Sequence, residues 1–75
     1  MLTRSPALRA FGHTVRKTRE ALDFSQEDLA DRSDLDRTYI SGIERGVRNP
    51  SLLSILRIAT ALDTTCSKLT AGIER

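Results

Sequence analysis

The sequence has few of the residues that build disulfides, metal sites and aromatic cores. Its 75 residues include one cysteine, one histidine, no tryptophan, two phenylalanines and one tyrosine. Cys66 has no second thiol to pair with, and Cys66 with His13 falls short of the ligand set of a zinc site. We therefore expect no metal or other cofactor, and stability from helix packing, dimerisation or both. The length accommodates one domain.

Long apolar runs and catalytic groupings are missing too. No segment approaches the roughly 20 apolar residues that cross a membrane, and the N-terminus lacks the apolar core of a signal peptide. With a lone thiol, these features predict a cytoplasmic protein without a membrane partner. There is no paired nucleophile and base and no phosphate-binding glycine loop, so we expect no catalytic residues, no enzyme activity and no small-molecule ligand.

Charge is unevenly distributed along the chain. Residues 1–19 carry five basic side chains and no acid, residues 20–36 carry seven acids and one arginine, and residues 37–57 carry four arginines and one acid. Ten of the twelve basic residues are arginines, the side chain suited to bidentate contacts with phosphate and guanine. On charge alone, a solvated surface of mixed charge remains an equal alternative to an anionic partner.

Turn-forming residues divide the chain into five segments of helical periodicity. The breaks fall at Pro6 and at residues 23–25, 33–36, 46–51 and 63–65. No run alternates apolar and polar residues as a strand does. The pattern predicts an all-α fold with helices over about 7–22, 26–32, 37–45, 52–62 and 66–73.

The first and third helices each place one charged residue beside the core. On the first helix, Leu8, Phe11, Val15 and Leu22 form an apolar stripe with Arg19 at its edge. A buried arginine needs a partner. Glu44, at the core-facing boundary of the third helix, is the candidate, and we expect the pair to be structural.

The last two helices supply more apolar residues than one core requires. The fourth helix has a predicted core stripe, which leaves Leu53 pointing away and Ile58 on the flank. The stripe consists of Leu52, Ile55, Leu56, Ala59 and Leu62. The fifth helix offers Leu69 and Ile73. We predict that Leu53, Ile58, Leu69 and Ile73 form a homodimer interface, although Leu69 and Ile73 could instead close the monomer core.

Two short helices joined by a tight turn, the second with a polar outer face, form a helix-turn-helix. Residues 25–30 read SQEDLA, residues 38–46 read TYISGIERG and residues 48–52 read RNPSL. These blocks resemble the Cro/repressor-type (XRE) family of transcription regulators. Residues 35–45 look in particular like controller proteins of restriction–modification systems, and the resemblance covers roughly residues 8–70.

The resemblance implies a lambda-repressor-like domain of five helices, over residues 7–75 after an extension at 1–6, whose third helix enters the major groove. It also implies that Arg19 and Glu44 match the buried ion pair of the family. The implied DNA-binding residues are Gln26, Arg37, Thr38, Tyr39, Ser41, Gly42, Arg45, Arg48 and Asn49. Gln26 would hold a phosphate at a helix N-terminus, and Arg37 and Thr38 match base-contacting positions.

Some positions leave alternatives open. Tyr39 could pack against the core or bind a phosphate, and Gly42 suggests close approach of DNA or, failing that, of another helix. Many relatives have glycine where this chain has Asp23 and Asp34, and aspartate tolerates the left-handed conformation better than most residues.

The expected partners are an operator in double-stranded DNA, a second copy of the chain and, for an activator, RNA polymerase. The alternative function is an antitoxin that binds a toxin and regulates its own operon. A toxin-binding tail after Arg75 would favour that alternative, and we expect none.

Overall fold

A computed structural model describes residues 5–73, and helices are the regular structure within that range. The helices are α1 (Pro6–Ala21), α2 (Gln26–Ser33), α3 (Arg37–Glu44), α4 (Leu52–Ala61) and α5 (Cys66–Leu69). The predicted all-α class with five helices is confirmed. The first four helices match their predicted ranges to within a residue or two. The fifth is shorter, since it ends at Leu69 and residues 70–72 form turns.

Each helix begins at a side chain that caps its free amide groups. Ser5, Ser25, Asp36, Ser51 and Thr65 each accept a hydrogen bond from a backbone N–H two or three residues onward. Such caps stabilise a helix by roughly 1 kcal/mol each. They explain why the sequence locates the helix starts well.

Aspartates occupy three left-handed positions at or just after helix ends. Asp23, Asp34 and Asp63 have φ angles of 61°, 58° and 56°. Two of them, Asp23 and Asp34, are the positions where glycine was expected from relatives. Asp34 ends α2, where its backbone N–H bonds the carbonyl oxygens of Ala30 and Asp31. The tight turn into α3 therefore forms without glycine.

One core joins all five helices. α3 packs against α1 and α2, α2 against α4, and α5 against α1 and α4. The buried apolar side chains are Phe11, Val15, Leu29, Ala30, Ile40, Ile43, Ile58, Ala59, Leu62 and Leu69. α3 is thus held from two sides while its remaining face stays free.

The predicted core face of α4 is wrong in part, since Ile55, Ala59 and Leu62 do pack in the core, and part of the predicted dimer interface is wrong as well. Ile58 and Leu69 are 0% and 1% exposed because they fill the monomer core, so neither offers surface to a partner. Leu52 and Leu56, expected in the core, are 66% and 44% exposed. Leu22 is also exposed, because it lies beyond the end of α1.

No helix within residues 5–73 has the length and apolar character that crossing a bilayer requires.

Candidate nucleic-acid interface

The outer face of α3 presents polar and basic side chains to solvent. Arg37 and Thr38 are exposed at its N-terminus, where the Asp36 carboxylate accepts a hydrogen bond from the Thr38 N–H at 3.0 Å. Ser41 is half-buried, one turn further on, and Arg45 is exposed just past the helix end. The outer face of α3 therefore carries two arginines, while the one acid of α3, Glu44, is turned inward.

The inner face of α3 is anchored by a buried ion pair. The Arg19 guanidinium donates to both Glu44 carboxylate oxygens, at 2.7 Å from Nε and 3.0 Å from Nη2. A third donation runs from Arg19 Nη1 to the Phe24 carbonyl oxygen at 2.6 Å. Hydrogen bonding to Glu44 raises the pKa of Arg19, against the opposing effect of burial. Both residues sit where the sequence analysis paired them, and the bidentate geometry fixes α3 relative to α1.

Gln26 joins α2 to the same ion pair. Its amide Nε2 donates to Glu44 Oε1 at 3.1 Å from the first position of α2. The Glu44 carboxylate, at the end of α3, therefore contacts both the last turn of α1 and the first residue of α2. A phosphate contact by Gln26 remains a prediction, and its amide is already oriented by the carboxylate of Glu44.

Gly12 allows α1 and α3 to approach closely, a contact that was not predicted from the sequence. A Cβ atom at this position would clash with the Ile43 carbonyl oxygen and lie 2.7 Å from the Glu44 carbonyl oxygen. Both neighbours are backbone atoms, which can move only if the backbone of α3 shifts. A glycine inside a strongly periodic helix was the one signal in the sequence that marked this contact.

Tyr39 connects α3 to α4. Its hydroxyl donates to Ser54 Oγ at 3.2 Å, and Ser54 is buried and also bonded to Ser51 Oγ at 3.1 Å. The ring is half-buried and packs against the core. Of the two alternatives for Tyr39, the structure contains the packing contact.

Arg48 and Asn49 lie exposed in the loop between α3 and α4. The Arg48 guanidinium carbon lies 5.9 Å from the centroid of the Tyr39 ring, within the range of a cation–π contact. The loop thus brings Arg48 back to the outer face of α3, where it lies next to Tyr39 and Gly42. The spacing of the residues alone did not indicate this neighbourhood.

Gly42 is buried although it lies on the outer arc of α3. Its close neighbour within the molecule is the aliphatic part of Arg48, with which a Cβ atom at residue 42 would clash. The backbone N–H groups of Val47 and Arg48 donate to the Gly42 carbonyl oxygen at 3.0 and 3.2 Å. The space beside this glycine is therefore filled by the following loop, not by another helix.

A separate apolar surface lies on α4. Leu52, Leu53 and Leu56 are exposed next to one another. Leu53 and Leu56 line a shallow groove together with side chains of α2 and its C-terminal turn. Ile73, the last residue that the structure describes, is partly buried and packs against the core. Of the four predicted interface residues, Leu53 alone is largely exposed.

Comparison with known proteins agrees with this geometry. A family model described as helix-turn-helix matches residues 15–69, which include α2, α3 and the turn between them. The chain belongs to the Cro/repressor-type helix-turn-helix family of DNA-binding regulators. The resemblance read from the sequence is therefore confirmed.

Similar proteins include restriction–modification controllers. The chain is 47% identical over 66 residues to control protein C.MunI of a Mycoplasma species, covering 87% of this chain and 89% of that protein. It superposes on the crystal structure of the controller protein C.AhdI from Aeromonas hydrophila with a TM-score of 0.81 at 52% identity, over 83% and 94% of the two chains. A tetramer of the controller protein C.Esp1396I with its natural 35 base-pair operator gives a TM-score of 0.82 at 38% identity, over 92% and 91%.

Proposed function

We propose that this protein is a transcription regulator that binds a specific operator in double-stranded DNA and acts as the controller of a restriction–modification system. The observation that carries the proposal is the outer face of α3. Arg37, Thr38 and Arg45 are exposed there, Arg48 joins them from the following loop, and the buried Arg19–Glu44 pair holds the inner face of the helix. Rigid placement of exposed donors is what base recognition requires. The controller role is supported by the relatives named above.

In this proposal α3 lies in the major groove with its N-terminus toward the bases. Arg37 can donate two hydrogen bonds to guanine O6 and N7, and the Thr38 hydroxyl and methyl group suit a neighbouring base edge. Ser41, Arg45 and Asn49 then face the flanking phosphates and base edges. Gln26, at the N-terminus of α2, is placed to bind a phosphate where the helix dipole favours an anion.

Specific binding by so small a domain calls for two copies on one site. A single recognition helix covers only a few base pairs, and a small domain buries little DNA surface. Two-fold symmetry would place two α3 helices about 34 Å apart on a pseudo-palindrome. The exposed leucines of α4, Leu52, Leu53 and Leu56, are the surface that we assign to the homodimer, and Ile73 is a candidate at its edge.

Whether RNA polymerase is a second partner depends on whether the protein activates or represses transcription. An activator would contact RNA polymerase from its operator, and a repressor would exclude the polymerase from it. The antitoxin alternative has no observation in its favour among the residues described, since the exposed α4 leucines serve a second copy equally well. A neighbouring gene for a restriction enzyme or methyltransferase would favour the controller role, and a toxin gene the alternative.

The experiment that tests this function is selection of binding sites from random double-stranded DNA, followed by footprinting. We expect one enriched pseudo-palindromic sequence, with two protected half-sites about one helical turn apart. Recovery of unrelated sequences that all bind with the same affinity as one another, at every salt concentration tested, would contradict sequence-specific recognition. The footprint also reports whether one or two half-sites are occupied.

Dimerisation is tested by Leu53→Glu. The added charge would have to be buried in the proposed interface, so we expect a dimer at micromolar concentration to become a monomer in sedimentation, with operator affinity falling at least about tenfold. Ile73→Glu should act in the same direction. Leu22→Glu is the matched control, because Leu22 is an exposed leucine at the far end of α1. A wild-type monomer at high concentration with single half-site footprints would refute the dimer.

A further inference from the structure

The outer face of α3 has a gap at residue 42, and an arginine from outside the helix occupies it. A Cβ atom on Gly42 would clash with Arg48 Cγ and lie 3.4 Å from both Cδ and Nε. The methylene stem of Arg48 thus rests on the bare backbone of α3. A side chain at residue 42 and the observed position of Arg48 exclude each other.

Three further contacts hold the Arg48 segment in this position. The Gly42 carbonyl oxygen accepts the backbone N–H of Val47 and of Arg48. The Arg48 guanidinium lies over the Tyr39 ring, and the Tyr39 hydroxyl is bonded to buried Ser54 on α4. The backbone, the stem and the guanidinium of Arg48 are each restrained by a different atom group.

We propose that Gly42 is a positioning residue that acts through Arg48: the absent side chain allows the Arg48 stem to lie on α3 and holds the guanidinium where DNA would meet the recognition helix. The inference rests on the proposed function, because it assigns a role within DNA binding. An arginine that is already ordered loses less side-chain entropy on binding than a free one. Glycine at 42 therefore improves binding although it is a poor helix former.

Gly42→Ala separates this role from a structural one. Residue 42 has helical backbone angles, so alanine fits the backbone and improves helix propensity. The one group within the molecule that must move is a flexible side chain on the surface. We expect an unchanged or higher melting temperature together with about tenfold weaker operator binding, the size of one good polar contact with DNA.

A double-mutant cycle identifies Arg48 as the group through which Gly42 acts. Operator affinity is measured by fluorescence anisotropy for the wild type, Gly42→Ala, Arg48→Ala and the double variant. We expect Gly42→Ala to weaken binding in the wild-type background and to change it less than about twofold in the Arg48→Ala background. The same substitution combined with Arg45→Ala, which removes a neighbouring exposed arginine, should show additive losses.

Each other outcome has a definite meaning. An equal loss from Gly42→Ala in the Arg48→Ala background would mean that DNA itself approaches residue 42, and would overturn the inference. Full affinity in either single variant would overturn it as well. A wild-type protein that selects no operator would contradict the proposed function instead, so the two failures are distinguishable.

Discussion

Both faces of α3 involve an arginine from another segment and a close contact at a glycine, but these residues have different roles on the two faces. On the inner face, Arg19 comes from α1 and is 8% exposed, and each of its three guanidinium nitrogens donates to a carboxylate or carbonyl oxygen. On the outer face, Arg48 comes from the following loop and its guanidinium lies over an aromatic ring in solvent. Each face also has a glycine contact, with Gly12 of α1 inside and Gly42 outside.

The two faces differ in whether water can replace a contact that is lost. The side chains of Arg19 and Glu44 are only 10% and 2% exposed, so loss of one partner leaves a largely buried charge unpaired. Arg48 is exposed to water and salt, so displacing its side chain leaves no buried charge and should change the stability of the folded protein little. Gly12 faces backbone atoms and Gly42 faces a movable side chain. Changes on the inner face should therefore lower stability, and changes on the outer face should lower affinity.

The largest expected effect comes from Glu44→Ala. The variant leaves the buried Arg19 guanidinium without its carboxylate and removes the acceptor of Gln26. Breaking one partner of a buried pair costs roughly 3–5 kcal/mol. A domain of this size has a free energy of unfolding at the low end of roughly 5–15 kcal/mol, so much of the protein should be unfolded at 37 °C. Thermal and urea unfolding followed by circular dichroism measure the loss.

Glu20→Ala is the matched control for Glu44→Ala. Glu20 pairs with Arg16 at 3.2 Å one turn apart on α1, and both side chains are more than half exposed. Exposed pairs of this kind contribute at most about 0.5 kcal/mol. If the two variants melted at the same temperature, the Arg19–Glu44 pair would not be what anchors α3 to α1.

The next largest loss in the free energy of unfolding is expected from Gly12→Ala. The new methyl group must displace the Ile43 and Glu44 carbonyl groups, which belong to the last turn of α3. Overpacking against atoms that cannot rotate away should lower the free energy of unfolding by the upper part of roughly 1–3 kcal/mol. The same substitution at Gly42 is the internal control, since it adds the same methyl group to the opposite face. Similar melting temperatures for the two variants would contradict the distinction between the faces.

Local signals in the sequence predicted much of this arrangement. Caps such as Ser25 and Asp36 fix where helices begin, and the periodicity of α1 places Arg19 at the edge of the core. The ion-pair partner follows from the same periodicity, because Glu44 has a unique place at the boundary of α3. The place of each residue depends on neighbours within one or two turns of its own helix, so a single sequence contains these signals even though Arg19 and Glu44 lie 25 residues apart.

The features that the sequence did not predict depend on how the helices, and the loop after α3, pack in three dimensions. α4 is apolar on nearly all sides, so periodicity favoured a core stripe that included Leu52 and Leu56, whereas packing against α2 and α5 left both exposed and buried Ile58. Gly12 and the Arg48 stem matter through what they approach, which has no signature in composition. The dimer interface was accordingly the least well predicted region.

The smallest expected change in the folded protein comes from Arg37→Ala, which tests the outer face alone. Arg37 is exposed at the first position of α3, and its side chain has no hydrogen bond or ion pair among those found in residues 5–73. Its removal should leave the melting temperature within about 1–2 °C of the wild type, as expected for an exposed residue away from caps and core. On the selected operator, however, loss of a bidentate guanine contact should cost about 1–3 kcal/mol of binding free energy.

Specificity distinguishes a base contact from a phosphate contact at Arg37. If Arg37 reads a guanine, Arg37→Ala should bind operator variants at one base pair of each half-site almost equally, while binding to random DNA falls much less than binding to the operator. Lys68→Ala removes one positive charge from α5, which packs on α1 and α4, and controls for the change in net charge. Equal losses of Arg37→Ala on operator and random DNA would assign Arg37 to the phosphate backbone. The reading of bases would then rest with Thr38, Ser41 and the arginine that Gly42 positions.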